Sequence, residues 1–509
     1  METTYIILIA LAIIYVPLYL YVRYNKKMEE KGLLPYGPCI MLRTKVGLKL
    51  IDRLGRYVRL WRICGIASRI ITVLLMAYIV MIIIIDLLLL PQAFGRTGIG
   101  IEYALAIPGL NPMLPIVYGW IGLIIAMVFH ELAHGIQSRA NDIAVDHTGV
   151  LYAVVPVGAF VEPNEDEIKD ASRGARMDLY AAGITTNFII AIITFVLMFA
   201  MVSGAVSSDY DDSPAIYGIT SESPLIDLDI PATAIIIEVD GVHVDTPDQL
   251  YDGVTAYGTH SIRYLYEGEE YERTDVPLGT FVNGVVSDSP IDGKGIEKGD
   301  FIVRIDGHDI GSPTTMTDYL KGTTPGQTVT VTYIDRSDSY LEKTTDPFEL
   351  GDNEGIGYLG VTTTLSGLSI TTPSDIMNFG VNPYYGADSL PAYVNGTISY
   401  LAKAFNGFSP VPESTHWWYN GSFINDDVTW IVIQMLYWIF WLNIVLGVTN
   451  ALPAVPFDGG FLFAGGVDYI AERFVKDEKK REKIVDTITS GTTYFMLLAL
   501  VVVMLVIVI

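Results

Sequence analysis

The sequence predicts a polytopic α-helical membrane protein of about six spans, with an inserted extracytoplasmic pair of small α+β domains. Hydrophobic residues make up 51% of the 509 residues, a share typical of membrane proteins. Between the fourth and fifth apolar runs lies a long polar segment with an internal repeat. The apolar runs that are long enough to cross a bilayer cover about residues 4–22, 70–90, 115–136, 180–203, 428–448 and 490–509.

The formal net charge of −25 comes from one part of the chain. Residues 204–427 carry 35 acidic and 9 basic side chains, a net charge of −26, whereas the rest carries 22 and 23, a net of +1. We therefore expect one acidic domain inserted into a nearly neutral membrane protein. This charge excludes nucleic acid as an electrostatic partner. The two cysteines, Cys39 and Cys64, provide neither a disulfide framework nor a cysteine metal site.

The first apolar run has no basic residue before it and no small-residue cleavage site, so it is interpreted as a span rather than a signal peptide. The loop 23–69 carries 12 Lys and Arg side chains against three acidic ones. By the positive-inside rule this loop is cytoplasmic. Alternation along the chain then predicts that the acidic domain lies outside and the basic loop 468–489 inside. The expected location is the cell (plasma) membrane, with the active site toward the cytoplasmic side.

The third apolar run ends in the pattern His-Glu-x-x-His, formed by His130, Glu131 and His134. Residues four apart share one face of a helix, so the two imidazoles can bind one metal ion. Zinc accepts such ligands, and a catalytic site keeps one position open for water. Glu131 can take a proton from that water. Two buried core histidines are the alternative, but ionisable side chains inside hydrocarbon are costly and indicate function.

A catalytic zinc site needs a third protein ligand. The apolar run from 428 to 467 is interrupted by two prolines and two glycines close to Asp458, and these residues break regular helix. An acid in this setting predicts a lined cavity. Asp458 is therefore the expected third ligand. The alternative is that Asp458 caps the following helix, predicted over 459–474.

Residues 149–163 are apolar and β-rich, with breaks at Pro156 and Gly158. This pattern predicts a hairpin that dips toward the membrane. Its edge could pair with an extended substrate strand, although a plain cytoplasmic hairpin explains the pattern equally well. In the fourth span, Gly183 and Asn187 are typical of close helix packing and interhelical hydrogen bonds.

The acidic segment contains two copies of one pattern at an offset of 66 residues. Residues 218–224 match 284–290, residues 235–241 match 301–307, and Pro247 matches Pro313. Each copy predicts a strand, a turn, a strand with an Asp-Gly turn, a helix and a further strand. The helices are expected near 247–256 and 313–322.

Each copy resembles a PDZ domain of the protease-associated type. The segment 295–300 makes the second copy the better match, whereas the first has a different sequence at 228–233. PDZ domains add a carboxyl-terminal peptide as an extra strand, so the resemblance implies peptide capture. The alternative is that the pair only shields the site sterically.

The membrane core, about 115–205 and 428–509, resembles the site-2 protease family of intramembrane zinc metallopeptidases. Phe457 stands where the family usually has Leu. The resemblance implies Zn²⁺ on the three expected ligands, Glu131 as the catalytic base, and substrate contacts from Asn187, Asn450 and Gly158. The motifs that carry it are His130-Glu131-x-x-His134, the hairpin segment Gly158 to Pro163, Gly183-x-x-x-Asn187, Asn450-x-x-Pro453 and Phe457-Asp458-Gly459.

The resemblance further implies regulated cleavage of transmembrane protein substrates in the lipid bilayer, after an earlier cut by another protease. One alternative is a membrane zinc peptidase of the prenyl-protein processing type, which would use a downstream Glu or His as third ligand. Another is a non-catalytic membrane scaffold that captures peptide ends through its PDZ pair.

The expected domain organisation follows from these assignments. The domains are two amino-terminal spans with a basic loop (1–114), the first half of the protease core (115–204), PDZ-like domain 1 (205–277), PDZ-like domain 2 (278–365), an extracytoplasmic linker (366–427) and the second half of the core (428–509).

Overall fold

The computed structural model describes residues 2–93, 108–109, 111–112, 114–153, 155–403 and 409–508. The chain divides into two compact units. The membrane unit falls within Met1–Met201, Ile398–Phe408 and Ile431–Ile509, and the inserted unit falls within Val202–Thr397 and Ser409–Trp430. The predicted insertion of a separate polar body into a helical membrane core is therefore seen in the way the chain packs.

The helices of the described residues include both long apolar helices and short ones. They are α1 (Glu2–Tyr24), α2 (Leu48–Gly55), α3 (Val58–Ala93), α4 (Ile116–Ala140), α5 (Glu165–Asp170), α6 (Arg173–Ala205), α7 (Pro247–Gly253), α8 (Pro313–Lys321), α9 (Pro373–Val381), α10 (Leu390–Ala402), α11 (Asp426–Asn450), α12 (Asp458–Ala471) and α13 (Glu478–Val508).

Five of these helices, α3, α4, α6, α11 and α13, are long and apolar enough to cross a membrane within the described part of the chain. They correspond to the second to sixth predicted spans. The first predicted span, 4–22, lies in α1, and the side chains of its residues up to 12 are outside the described residues. The six-span count therefore stays a prediction.

The loop predicted over 23–69 is largely structured. Helix α3 begins at Val58, twelve residues before the predicted start of the second span. Arg59, Arg62 and Arg69 lower the local hydropathy, but arginine is a good helix former and its long stem can lie along apolar surface while the charge reaches the interface. The helix therefore continues through residues that a hydropathy argument excludes.

The strands are mostly short and lie mainly in the inserted unit. They are β1 (Leu33–Tyr36), β2 (Cys39–Thr44), β3 (Val145–Ala153), β4 (Val155–Pro163), β5 (Val206–Ser207), β6 (Ala215–Ile219), β7 (Ile235–Val239), β8 (Val242–His243), β9 (Gly258–Tyr266), β10 (Glu269–Leu278), β11 (Thr280–Val285), β12 (Phe301–Ile305), β13 (His308–Asp309), β14 (Thr328–Val329), β15 (Val331–Asp335), β16 (Leu341–Thr344), β17 (Phe348–Glu349), β18 (Gly351–Asn353), β19 (Ile356–Tyr358), β20 (Val361–Leu365), β21 (Leu368–Thr371) and β22 (Asn420–Gly421).

The membrane unit contains a four-stranded antiparallel sheet in the order β1-β2-β3-β4. Strands β3 and β4 form the hairpin predicted at 149–163, with Leu151 paired to Gly158. The basic amino-terminal segment adds β1 and β2, since Met41 pairs with Leu151 across more than a hundred residues. Strand β4 is the terminal strand on the other side of the sheet.

The two repeat copies are built alike and share one sheet. Both Asp-Gly turns have positive φ at both residues, 51° and 79° at Asp240 and Gly241, and 48° and 79° at Asp306 and Gly307. The helices α7 and α8 follow these turns, as predicted. The sheet order is β10-β9-β7-β6-β21-β20-β11-β12-β15-β16, with β21 and β20 at the centre. Strands β6, β7, β9 and β10 of the first copy lie on one side of this pair, and β11, β12, β15 and β16 of the second copy lie on the other.

The segment 366–427, predicted as a linker, begins with a strand that completes the first copy. Strand β20 pairs with β11 of the second copy, whereas β21 pairs with β6 of the first. Leu368 accordingly belongs to the buried core of the first copy. This return was not predicted, because two adjacent strands that complete two different domains leave no local mark in the sequence.

Candidate metal centre and active site

The two histidines of the motif lie on one face of α4. Both are buried, with 5% and 7% of their surfaces exposed, and their ring centroids are 4.7 Å apart at 78°. The distance between His130 Nε2 and His134 Nε2 is 3.1 Å. The helical spacing therefore aims both Nε2 atoms at one point, as the motif predicts.

Asp458 lies next to these two histidines and comes from α12, in the second half of the core sequence. Its Oδ2 lies 3.0 Å from His130 Nε2 and 3.2 Å from His134 Nε2. Asp458 is not the N-cap of α12, because Phe457 occupies that position and Asp458 is the first helical residue. The three side chains form a group that could hold a metal ion.

The outer ring nitrogens decide which atoms face the site. His134 Nδ1 lies 2.7 Å from the Leu179 carbonyl oxygen, and a carbonyl only accepts, so this nitrogen carries a proton. In the neutral ring Nε2 then presents a lone pair. His130 Nδ1 lies 3.2 Å from Asn187 Oδ1, which favours the same tautomer. In this neutral tautomer, the two Nε2 lone pairs and a carboxylate oxygen can all be directed at one bound cation.

Gly183 on α6 leaves the space for such an ion. A Cβ at this position would lie 2.5 Å from His134 Nε2 and 2.8 Å from His130 Nε2. The separations between the ligand atoms also suit a metal, since neighbours in a tetrahedral zinc site with bonds of about 2.0–2.1 Å lie about 3.3 Å apart. The residues present therefore fit a small cation with tetrahedral coordination.

Glu131 is held beside the ligands by the hairpin. Its Oε2 accepts a hydrogen bond of 2.8 Å from the backbone N–H of Val161 on β4. The sheet and the motif helix therefore meet at this bond, next to the metal group.

A cavity of about 630 Å³ opens onto the metal group. The motif residues, Asp458 and residues 159–163 of β4 line it. Tyr36 of β1 and Met41 of β2 line it as well, a contribution that the sequence did not predict. The cavity therefore brings strand β4 and the amino-terminal strands to the metal group.

The three expected substrate-binding residues occupy different positions. Asn187 is fully buried and lies behind the imidazole of His130, on its Nδ1 side, where it orients the ring. Asn450 lines the cavity and donates to the Leu446 carbonyl at 3.1 Å. Gly158 lies on β4, one residue before the part of the strand that lines the cavity.

Sequence reasoning missed the roles of Leu179 and Val161, which act through backbone atoms and so leave no side-chain signal. It also treated Gly183 only as a packing residue. A glycine four residues before an asparagine fits both helix packing and a metal site, and the two explanations separate only once the imidazoles face it.

Comparison with solved structures finds PDZ domains among the similar proteins. A PDZ domain of an SdrC-like protein from Listeria monocytogenes is 26% identical and covers 17% of this chain and 86% of its own, with a TM-score of 0.15. The corresponding domain from Listeria innocua is also 26% identical and covers 17% and 92%, with a TM-score of 0.15.

Two curated relatives match parts of the chain. An uncharacterized protein of Methanocaldococcus jannaschii is 31% identical over 260 residues, which are 48% of this chain and 62% of that protein. A membrane-bound transcription factor site-2 protease homolog of Arabidopsis thaliana is 23% identical over 174 residues, 33% of this chain and 34% of that protein. The chain thus spans less than two thirds of the length of either relative.

The profile of peptidase family M50 matches residues 118–506, which is well over half of the chain. The matched range includes the His-Glu-x-x-His motif, the inserted unit and Asp458. The chain therefore belongs to peptidase family M50, the site-2 protease family.

Proposed function

We propose that this protein is a zinc-dependent intramembrane endopeptidase that cleaves transmembrane protein substrates. The observation that carries the proposal is the convergence of His130 Nε2, His134 Nε2 and Asp458 Oδ2 within 3.2 Å of one another on helices of a membrane core. An aspartate as third ligand favours this function over a prenyl-protein processing peptidase. A site with complete ligands and a base also favours an enzyme over a peptide-binding scaffold.

Zinc held there would supply Lewis-acid polarisation to the scissile carbonyl and to the attacking water. Glu131 takes the proton from that water and passes it to the leaving amine. The Val161 N–H holds the Glu131 carboxylate for this transfer. Asn187 and the Leu179 carbonyl keep the two imidazoles in the tautomer that binds metal.

Strand β4 is the proposed docking edge for the substrate. It is the terminal strand of its sheet, and residues 159–163 line the cavity beside Glu131. A peptide added along this edge gains backbone hydrogen bonds, but a helical substrate must unwind first, because its own hydrogen bonds cover the scissile carbonyl. Asn450 is the proposed side-chain contact to the substrate backbone, and Gly158 leaves the neighbouring part of the strand without a side chain.

The proposed orientation puts the inserted unit outside the plasma membrane and the active site toward the cytoplasm. The excess of basic side chains in 23–69 and 468–489 supports it. In this arrangement the PDZ-like pair excludes substrates with bulky outer domains, so cleavage follows an earlier cut by another protease. Recruitment of a new carboxyl terminus by the pair is the competing role.

The test of the proposed function is cleavage of a synthetic transmembrane peptide by the purified full-length protein in detergent or vesicles. Product is expected with the zinc-loaded protein, its loss after treatment with a zinc chelator, and its return when zinc is added back. Cleavage that continues unchanged in the metal-depleted protein would refute the proposed mechanism.

A further inference from the structure

Helix α3 lies before residues 118–506, the part matched by the family profile, and the sequence suggested no role for it. Its contacts with α6 include polar ones. The Thr185 hydroxyl donates to the Ser68 carbonyl at 3.3 Å, and Arg69 Nε forms an ion pair with Asp178 Oδ1 at 2.7 Å. The side chain of Asp178 is only 8% exposed. A buried ionisable group in a membrane core indicates a function for that contact.

The three helices α3, α4 and α6 meet at Gly65. A Cβ at this position would lie 2.5 Å from Asp178 Cγ and 2.7 Å from Gln137 Nε2. Gln137 follows His134 by three residues and donates to the Trp61 carbonyl at 3.2 Å. Helix α3 therefore contacts the motif helix and α6 at one point, and a small residue is needed there.

This junction leads directly to a metal ligand. Asp178 precedes Leu179, whose carbonyl accepts the hydrogen bond from His134 Nδ1 at 2.7 Å. That bond sets the tautomer and the ring orientation of His134. A shift of α6 along α4 would lengthen it, and the lone pair of Nε2 would no longer be directed at the site.

We propose that α3 positions the metal centre, with Arg69 as its positioning residue. The ion pair of Arg69 with Asp178 holds α6 at the height at which the Leu179 carbonyl meets His134. This inference rests on the proposed function, because it concerns the same metal site. Partners that hydrogen-bond directly to a metal ligand are worth about 10–100-fold in metal affinity when removed. The Leu179 carbonyl is such a partner, and loss of Arg69 should act through it.

The test measures zinc affinity of the purified full-length protein by competition with a chelator. Arg69→Met should weaken zinc binding by about 10–100-fold, and Arg69→Lys, which keeps the charge, should restore part of it. Arg62→Met is the matched control on the same helix, since Arg62 pairs with Asp142 at 3.4 Å and both side chains are largely exposed. The control should bind zinc as the wild type does.

A double variant, Arg69→Met with Asp178→Leu, separates positioning from stability. An apolar pair often replaces a buried ion pair without loss of stability, so this variant should fold even where the single one fails. Its zinc affinity should remain reduced at least about 10-fold, because the ion pair between α3 and α6 is absent. The visible absorption of the cobalt-loaded protein gives a second readout of the ligand geometry, and it should differ from wild type.

Wild-type zinc affinity in the double variant would overturn the inference and leave the ion pair a purely structural role. Unchanged affinity in a folded Arg69→Met variant would do the same. These failures are distinct from failure of the proposed function, which would appear as a wild-type protein that binds no zinc.

Discussion

The substitution Gly183→Ala tests the metal centre with a single methyl group. The added Cβ would lie 2.5 Å from His134 Nε2, whereas real Cβ contacts are not shorter than 3.0 Å. One of the two atoms must therefore move by about 0.5 Å, and zinc–ligand distances tolerate only about 0.2 Å. We expect zinc affinity to fall by at least about 100-fold, the upper end of the range for residues that only orient ligands.

The assay is chelator competition for zinc, with circular dichroism as the check on folding. Alanine is a better helix former than glycine by about 1 kcal/mol, so the variant should stay helical. Gly204→Ala on the same helix is the matched control, because no described atom lies within 4 Å of the Cβ it would add. Zinc affinity of Gly183→Ala within about threefold of wild type would refute the assignment of the site.

Three further predictions test the remaining parts of the account. Asp458→Ala should lose zinc and cleavage together while the protein stays folded, since two imidazoles are too few for a catalytic site; full zinc content with intact activity would contradict this. Single cysteines at the exposed positions Val242 and Val46 of a cysteine-free variant test the topology in intact cells. Val242→Cys should react with a membrane-impermeant thiol reagent and Val46→Cys should not, and the opposite labelling would reverse the topology. Residues 212–373 can be deleted with their flanking residues joined, because Ser374 N donates to Asp211 O at 3.0 Å. This deletion should permit premature cleavage of full-length substrate. Unchanged cleavage of both full-length and trimmed substrate would rule out both proposed roles of the PDZ-like pair.

Much of the fold could be predicted because its signals are local. Long apolar runs predict spanning helices wherever they occur, and the Asp-Gly turns at Asp240 and Asp306 mark corresponding points of the two repeat copies. Asp458 could be linked to His130 across more than three hundred residues, because an acid in a broken apolar run has few other uses. The closeness of these two side chains could therefore be predicted without the intervening chain.

The parts that could not be predicted depend on partners distant in sequence. Nothing near Met41 shows that its strand continues the sheet of Leu151, and nothing near Leu368 shows that it packs in the first repeat copy rather than the second. The close approaches at Gly65 and Gly183 are also invisible in the sequence. A glycine in an apolar helix predicts close packing, but only the fold shows which atoms come close.

The central claim, that Glu131 is the base of a zinc peptidase, is tested most directly by Glu131→Gln in the peptide-cleavage assay, with zinc content measured on the same sample. The substitution keeps the size of the side chain and its ability to accept from Val161 N–H, and it leaves the three ligands in place. Zinc content should equal that of the wild type, while the cleavage rate should fall by at least about two orders of magnitude. A variant that holds zinc and cleaves the peptide at the wild-type rate would contradict the account.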